Sequence, residues 1–184
     1  METGTPIAFS FKGEHMESQL PEIPNYIKDL IESGEHIDEI LIDKEGIWHH
    51  NGEKFTNERI INFFNKSINI TKDGEYVIHY STFTYPIQVE DVPFFITGVT
   101  YSGFGDFEKI TLNISSGENE ELDVNTLFCK SNNALYCKVR NGTMPAKFKR
   151  SPSFSILERL EEDEKGKFYV RVCGQIIELI VKED

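Results

Sequence analysis

Two adjacent acidic residues, Glu90 and Asp91, lie inside the apolar run at residues 87–95 and are the first candidates for chemistry. In one continuous buried strand, as we predict here, the two side chains point to opposite faces of the sheet. Because an ionised carboxylate is costly to bury without a partner, each of them needs a donor. The pair is therefore either a structural latch or one wall of a binding site. We favour the latch, with backbone amides of a turn or loop donating to at least one carboxylate.

Histidines are the other side chains that commonly bind metals or move protons. Four of them lie in or near predicted strands: His36, His49, His50 and His79. Adjacent histidines on a strand diverge, so at most one of His49 and His50 can share a metal site with Glu90 and Asp91. The two carboxylates diverge for the same reason and cannot flank one bond as an acid–base pair. No metal centre is predicted.

Motifs of the common enzyme classes do not occur in the sequence. Gly103-Phe104-Gly105 has neither the third glycine nor the following helix of a dinucleotide fingerprint. No His-Glu-x-x-His, phosphate-loop or Gly-x-Ser-x-Gly pattern is found, which argues against zinc hydrolysis and against a serine nucleophile. We expect a protein that is not an enzyme and that needs no cofactor.

Composition limits the class of protein further. The chain has 184 residues, of which 39% are hydrophobic, enough for one large domain or two small ones. No apolar run approaches the ~20 residues that cross a bilayer, and the N-terminal residues lack a basic-then-apolar signal pattern. Cys129, Cys137 and Cys173 form no Cys-x-x-Cys pair and are typical of reduced cysteines. We expect a cytoplasmic protein without a membrane partner.

Basic residues are concentrated in an acid-free stretch at residues 131–157, within a chain of net charge −12. The overall charge argues against general binding of nucleic-acid backbones. The stretch either focuses a small anionic ligand, aided by the start of a helix at Ser151-Pro152, or consists of strand-edge lysines that oppose aggregation. Its basic residues are Lys138, Arg140, Lys147, Lys149 and Arg150.

Hydrophobic periodicity predicts helices separated by many strands. One helix runs from about residue 56 or 57 to 69, with the apolar stripe Ile60, Ile61, Phe64 and Ile68. Another begins at Ser151-Pro152, a capping hydroxyl followed by proline, and turns Phe154, Leu157 and Leu160 inward. Strands are predicted at residues 37–43, 47–50, 75–80, 86–92, 95–101, 108–115, 121–128, 135–140, 168–173 and 176–181.

A β-β-α-β order of elements occurs twice. Gly46 and Gly142 mark the two hairpins, and Gly74 and Gly166 mark the turns after the two helices. Recurrence by chance in an α+β chain is the alternative to a true duplication. The prediction is an α+β fold with a flexible arm at residues 1–20, an N-terminal α/β half at 21–92 that begins with a short helix at 24–33, and a barrel-like C-terminal half at 93–184.

Four short segments carry a resemblance to a known family. They are Gly-Ile-Trp-His-His-Asn-Gly at 46–52, Asp-Gly-Glu-Tyr at 73–76, Ile-Gln-Val-Glu-Asp-Val-Pro-Phe at 87–94 and Val-Arg-Asn-Gly at 139–142. From about residue 36 onward the chain resembles the bacterial domain-of-unknown-function family 1285. The resemblance implies a duplicated core with a C-terminal half loosely similar to pleckstrin-homology domains. It also implies a ligand site between the halves, for a nucleotide-like molecule in signalling, and brings no enzymatic activity.

Two classes of function follow from these observations. In the first, the protein binds a small anionic or nucleotide-like ligand, with contacts from Trp48, Glu90, Asp91, Arg140, Lys147 and Arg150. In the second, it is a protein–protein adaptor that uses strand edges or the aromatic residues Phe94, Phe95, Tyr101, Phe104 and Phe107. Trp48 itself is predicted to be buried against the helix at 57–69, the alternative being an exposed stacking face.

Overall fold

The order of helices and strands is that of an α+β protein. A computed structural model describes residues 39–81 and 83–182. These residues contain two α-helices and 17 strands, and the strands form four sheets. The predicted fold class is thereby confirmed. The predicted arm at 1–20 and the short helix at 24–33 lie outside the described residues, and the predicted division at residue 92 stays a prediction.

The first half of the chain forms a small sheet, a helix and a meander. The sheet has the order β3-β2-β1-β7. Its strands are β1 (Ile40–Ile42), β2 (Trp48–His50), β3 (Glu53–Lys54) and β7 (Gln88–Val89), with β7 parallel to β1. Helix α1 (Glu58–Ser67) follows β3 and leads into the antiparallel meander of β4 (Ile68–Ile70), β5 (Tyr76–Tyr80) and β6 (Phe83–Pro86).

Helix α1 is specified by its cap and by its apolar face. The Asn57 side chain accepts hydrogen bonds from the amides of Arg59 and Ile60, which otherwise have no partner within the helix. The face that carries Ile60, Phe63 and Phe64 is buried. The predicted helix is confirmed, although it ends at Ser67, and Ile68 already belongs to β4.

The second half is dominated by a seven-stranded sheet of order β10-β9-β8-β13-β12-β11-β17. Its strands are β8 (Phe94–Ser102), β9 (Lys109–Ile114), β10 (Asn119–Glu121), β11 (Phe128–Lys130), β12 (Leu135–Val139), β13 (Met144–Phe148) and β17 (Val181–Lys182). Helix α2 (Arg150–Leu157) follows β13, and a second meander contains β14 (Leu160–Glu162), β15 (Phe168–Val172) and β16 (Gln175–Glu178). Neither α-helix is long and apolar enough to cross a bilayer.

Both halves repeat one order: an antiparallel hairpin, a helix and a three-stranded meander. The first turn of each meander is closed in the same way. In the first meander the Thr71 side chain accepts a hydrogen bond from the Glu75 amide at 3.1 Å. In the second, the Asp163 side chain accepts one from the Lys167 amide at 2.9 Å. Gly74 and Gly166 then adopt the left-handed φ values of 88° and 77° that favour glycine. The repeat predicted from these glycines is present as a repeat of elements.

The prediction of a strand at residues 86–92 that carries Glu90 and Asp91 on its two faces is wrong. Strand β7 ends at Val89, Glu90 and Asp91 form a bend, and β8 begins at Phe94. The interruption has a local cause, because Pro93 has no amide hydrogen for a sheet ladder and biases the residue before it. The two carboxylates therefore lie in a connection between strands and not on the two faces of one strand.

Three smaller predictions also need correction. Residues 121–128 are not a strand, because Asp123 caps a 3-10 helix at Val124–Thr126. Helix α2 begins at Arg150, so Ser151 lies in its first turn and is not its cap. Phe154 and Leu160 are exposed instead of facing inward, since the helix ends at Leu157 and Leu160 opens β14.

Candidate functional site

One face of the seven-stranded sheet carries a row of aromatic and basic side chains. The strand registers place Phe128 opposite Tyr136, Tyr136 opposite Lys147, and Lys147 opposite Phe95. Directly opposed residues of neighbouring strands share a face of the sheet, so the four side chains form one row. A Cβ atom at Gly46 would lie only 2.6 Å from the Phe95 ring. The first hairpin therefore packs on this row, which lies between the two halves of the chain.

Asp91 is the acceptor at the centre of this interface. Its carboxylate accepts hydrogen bonds from Lys130 Nζ and the Tyr136 hydroxyl, both at 2.8 Å, and forms an ion pair with Lys147 Nζ at 3.1 Å. Burial works to raise the pKa of Asp91, but Lys130, Tyr136 and Lys147 together hold it below its ordinary value. Asp91 is thus ionised at neutral pH and joins β11, β12 and β13 to the bend that precedes β8.

Glu90 and two lysines hold the first hairpin turn against the second half. The Glu90 carboxylate accepts a hydrogen bond from the Lys44 amide at 3.0 Å. Lys147 donates to the Lys44 carbonyl at 2.9 Å, and Lys149 donates to the Glu45 carbonyl. Burial lowers the pKa of Lys149 despite the nearby Glu45 carboxylate. A turn amide was predicted to satisfy at least one of the two carboxylates, and that prediction is confirmed.

Arg140 connects the second hairpin to the end of α1. It has a left-handed φ of 52°, and its amide donates to the Glu120 carboxylate at 2.7 Å. Its guanidinium donates to the Ile68 carbonyl at 2.6 Å and to Glu118 at 3.1 Å, and it lies 4.4 Å from the centre of the Phe94 ring. Each of these contacts is within the chain, so Arg140 acts as a structural clamp in this conformation.

The predicted anion-binding residues do not converge on one point. Arg140 precedes β13 and Arg150 follows it, and a five-residue strand spans about 17 Å. Lys147 lies between them on Asp91, and the exposed Arg150 guanidinium lies 5.7 Å from the centre of the Phe154 ring. The strand predicted at 135–140 is present as β12 and pairs with β13.

Trp48 is buried, as predicted. Its side chain is 1% exposed, its indole nitrogen donates to the Asn65 side chain at 2.9 Å, and its ring lies 5.1 Å from that of Phe64. Both partners belong to α1, so Trp48 holds β2 against the helix. The alternative of an exposed stacking face is not available in this conformation.

A shallow cleft of about 280 Å³ lies where β3 leads into α1. Asn57 already occupies the first free amides of the helix at this cleft. The cleft is lined by His50, Glu53, Lys54, Phe55, Thr56, Asn57 and Ile60. Across residues 39–81 and 83–182, no three histidine, cysteine or acidic side chains come together in a way that could hold a metal ion.

The most exposed apolar side chains of the described chain lie together at the tip of the β8–β9 hairpin. Phe104 and Phe107 are 84% and 82% exposed; Phe104 precedes a 3-10 helix at Gly105–Phe107, and Phe107 is its last residue. The other aromatic residues of the predicted adaptor surface are placed differently, since Phe94 and Phe95 are buried and Tyr101 is half-buried. The predicted aromatic surface is thereby reduced to these two phenylalanines, which we call the aromatic tip.

The backbone beneath the aromatic tip is anchored. The Glu108 carboxylate forms an ion pair with the Arg159 guanidinium at 2.8 Å and accepts a hydrogen bond from the Cys173 amide at 2.8 Å. Burial works against ionised Glu108, but the Cys173 amide and Arg159 hold its pKa below the ordinary value. A Cβ atom at Gly174 would lie 2.7 Å from Asp106 Cα, so the tip also rests on the β15–β16 turn. The loop is therefore an ordered platform for the two exposed rings of the aromatic tip.

Solved structures share this arrangement of elements. A DUF1285 family protein from Silicibacter pomeroyi DSS-3 superposes with a TM-score of 0.63 at 18% identity, over 77% of this chain and 79% of that one. A DUF1285 family protein from Shewanella baltica OS155 gives 0.50 at 18% identity, over 65% and 90%. The chain has the fold of DUF1285 family proteins.

The resemblance stated from the sequence motifs is thus confirmed at the level of fold. No family model matches the sequence, and no curated protein does. Neither DUF1285 protein is described by a ligand or an activity, so the likeness carries the fold and no function. The similarity of the second half to pleckstrin-homology domains stays a prediction.

Sequence reasoning missed four residues that build these sites: Lys130, Tyr136, Glu108 and Arg159. Lys130 lies one residue before the acid-free stretch, and Tyr136 reads as an ordinary core residue of a buried strand. Glu108 and Arg159 are 51 residues apart and meet only through tertiary packing. A buried tyrosine needs a partner for its hydroxyl, and this was the one signal that could have linked Tyr136 to Asp91.

Proposed function

We propose that this protein is a non-catalytic interaction module whose aromatic tip inserts into an apolar groove of a partner protein. The observation that carries the proposal is the exposure of Phe104 and Phe107, above four-fifths for both, on a loop anchored through Glu108. Large aromatic side chains are the residues that most often dominate protein interfaces. Because the loop is already ordered, binding does not have to meet the cost of ordering it.

The chemistry of the site supports binding and not a reaction. Two of the carboxylates with a lowered pKa, Asp91 and Glu108, are each engaged by cations and donors of the chain itself. We place the module in the cytoplasm, because Cys129, Cys137 and Cys173 are free thiols, which persist in a reducing compartment. A bacterial signalling assembly is the setting that the family resemblance suggests.

Photo-cross-linking tests this proposal directly. A benzophenone amino acid at position 104 should capture one partner in living cells, whereas the same group at the exposed Glu75 on the β4–β5 turn should not. The captured protein is then purified and its affinity measured. The double variant Phe104→Ser, Phe107→Ser should weaken binding about 100-fold or more, since burying each ring contributes about 1.5–3 kcal/mol. Equal affinity of the variant and the native chain would refute a role for the tip.

A second candidate is a small anionic or nucleotide-like ligand at the Asp91 interface. Its support is the pair Lys147 and Lys149, whose contacts with the first hairpin are to the carbonyls of Lys44 and Glu45 and not to carboxylates. An anion could displace these carbonyls and interact with the ammonium groups of both lysines. A thermal-shift screen of nucleotides and inorganic phosphate tests it. The candidate is supported if an anion stabilises the native chain and the control Lys138→Met, at an exposed position, but does not stabilise Lys149→Met. It is refuted if no anion stabilises the native chain.

A further inference from the structure

Strand β16 is an open edge of the second meander. The sheet order is β14-β15-β16, so within the described residues β16 has a neighbour on one side only. Leu179 donates its amide to the Phe168 carbonyl, and Gln175 pairs with Val172 across the turn. In an antiparallel pair, hydrogen-bonded positions alternate with positions whose amides and carbonyls point away. Ile176 and Glu178 therefore direct their backbone groups to the open side.

The corresponding edges of the first meander are partly closed by specific groups. The same alternation turns the backbone of Ile68 and Ile70 outward on β4. There the Ile68 carbonyl accepts from Arg140, and the Ile70 amide donates to the Asn69 side chain. On β6 the outward positions are Thr84 and Pro86, and Pro86 has no amide hydrogen. Natural sheets commonly protect their edges in such ways, and β16 has neither device.

The edge exposes one large apolar side chain, Ile176, and the turn that precedes it touches the loop of the aromatic tip. Ile176 is 57% exposed, and Glu178 is exposed at the other end of the strand. The β15–β16 turn touches the tip where Gly174 meets Asp106. An extended segment added to β16 would therefore run towards Phe104 and Phe107. Two binding features lie at one corner of the molecule.

Charge selects among the occupants of the edge. A second copy of this chain would bring another net charge of −12, and on the edge itself Glu178 is exposed and pairs with Lys167 at 2.7 Å. Like charges at close range oppose such self-pairing, whereas a basic segment gains from the same field. Alternation along a strand would let such a segment face Ile176 with an apolar residue and water with lysine or arginine.

We propose that β16 takes up an extended, basic segment of a partner protein as an additional strand, with apolar side chains of that segment packed against the aromatic tip. The inference rests on the proposed interaction function and specifies its partner: a segment of alternating apolar and basic residues. Main-chain hydrogen bonds at Ile176 and Glu178 supply affinity in this mode of recognition, and the alternate side chains supply specificity.

Amide hydrogen exchange followed by NMR tests the edge in the native chain. In the free protein the amides of Ile176 and Glu178 should exchange much faster than that of Ile177, which faces β15. The probe is a peptide of about eight residues that alternates valine and lysine, with an alternating valine–glutamate peptide as its control. The basic peptide should protect Ile176 and Glu178 selectively, and the acidic peptide should not.

Two variants separate the backbone from the side chain. Ile176→Pro removes the outward amide at a position where an edge strand tolerates proline, whereas Ile176→Thr keeps it. With melting temperatures shown to be retained, the proline variant should bind the basic peptide about tenfold more weakly than the threonine variant. If either variant fails to fold, the exchange pattern of the native chain with and without the basic peptide still shows whether the peptide binds at the β16 edge.

The outcomes distinguish this inference from the function on which it rests. Protection of Ile176 and Glu178 in the free monomer, dimerisation that Ile176→Pro abolishes, or no binding of the basic peptide would each overturn strand addition at β16. A cross-linked partner whose affinity depends on Phe104 and Phe107 but not on Ile176→Pro would also overturn it, while leaving the interaction module intact. A cross-linked partner whose affinity does not change in the double variant Phe104→Ser, Phe107→Ser would refute the proposed function itself.

Discussion

Removing the Asp91 carboxylate should destabilise the fold far more than removing an exposed acidic residue. Asp91→Ala takes away an acceptor shared by the Tyr136 hydroxyl, Lys130 and Lys147. Tyr136 is fully buried, and a buried donor that loses its acceptor costs about 1–3 kcal/mol. The two lysine side chains are 22% and 15% exposed, so they can turn partly to water and lose less than a fully buried ion pair. We expect a total loss of about 2–4 kcal/mol.

Urea unfolding at neutral pH measures this loss, with Glu121→Ala as the matched control. Glu121 pairs with Lys109 at 2.8 Å, the same length as the Lys130–Asp91 pair, but both partners are about 60% exposed. An exposed pair contributes less than about 1 kcal/mol. If burial and shared donors set the energetics, the two variants should differ clearly despite their similar geometry. Equal free energies of unfolding for Asp91→Ala and Glu121→Ala would refute the reasoning.

The pH dependence of the same difference gives an independent check. The pKa of Asp91 is lowered in the folded state, so its ionised form is favoured by folding. Its contribution is then fully present above the unfolded value of about 3.9, and is lost as the pH falls through the lower folded value. The gap between the native chain and Asp91→Ala should therefore be constant near neutrality and shrink below about pH 4. A gap that grew on acidification would contradict this sign.

Three further outcomes are expected. The single tryptophan, Trp48, should emit at short wavelength and resist acrylamide quenching, because it is 1% exposed, and a red-shifted, readily quenched spectrum would contradict its burial. Gly174→Ala should cost about 1–3 kcal/mol in urea unfolding and more than the control Gly52→Ala, since both glycines have a left-handed φ but only Gly174 touches a neighbour, Asp106. Glu108→Gln should lower stability by about 1–3 kcal/mol at neutral pH, with the difference from the native chain fading below about pH 4, because the folded pKa of Glu108 is lowered. A loss of equal size at pH 3 would contradict the ionic role of Glu108.

Patterns that are local in the sequence predicted the fold well. The helix at 58–67 was visible because its cap and its apolar stripe lie within a dozen residues. The repeated turns were visible because left-handed positions favour glycine, as at Gly74 and Gly166. Where a local signal had two meanings, the prediction failed. Ser151-Pro152 reads as a cap followed by a first helical residue, yet the helix begins two residues earlier, at Arg150, and Lys149 takes the cap position without a side-chain bond.

The sites were harder to predict because their residues meet only through packing. Asp91 stood out as an acidic residue in an apolar run, but its partners Lys130 and Tyr136 lie 39 and 45 residues away. The apolar run also suggested one strand, although a proline and two acidic residues in a row favour a break. Phe104 and Phe107 were among the aromatic residues of the predicted adaptor surface, but the sequence did not distinguish them from Phe94 and Phe95, which are buried.

The two halves of the chain share an order of elements but differ in what they leave open. In the first half, Asn69, Arg140 and Pro86 partly close the meander edges. The contacts of Arg140 and of the Asp91 cluster join the halves, and in this conformation these charges are engaged within the chain. In the second half, the β16 edge and the aromatic tip face outward at one corner, on a frame held by Glu108 and Arg159. Charged residues that already have partners must break a contact before they bind a ligand, whereas the two exposed rings and the outward backbone groups of β16 can gain contacts without breaking an ion pair. That difference is why we assign recognition to the corner and stability to the interface.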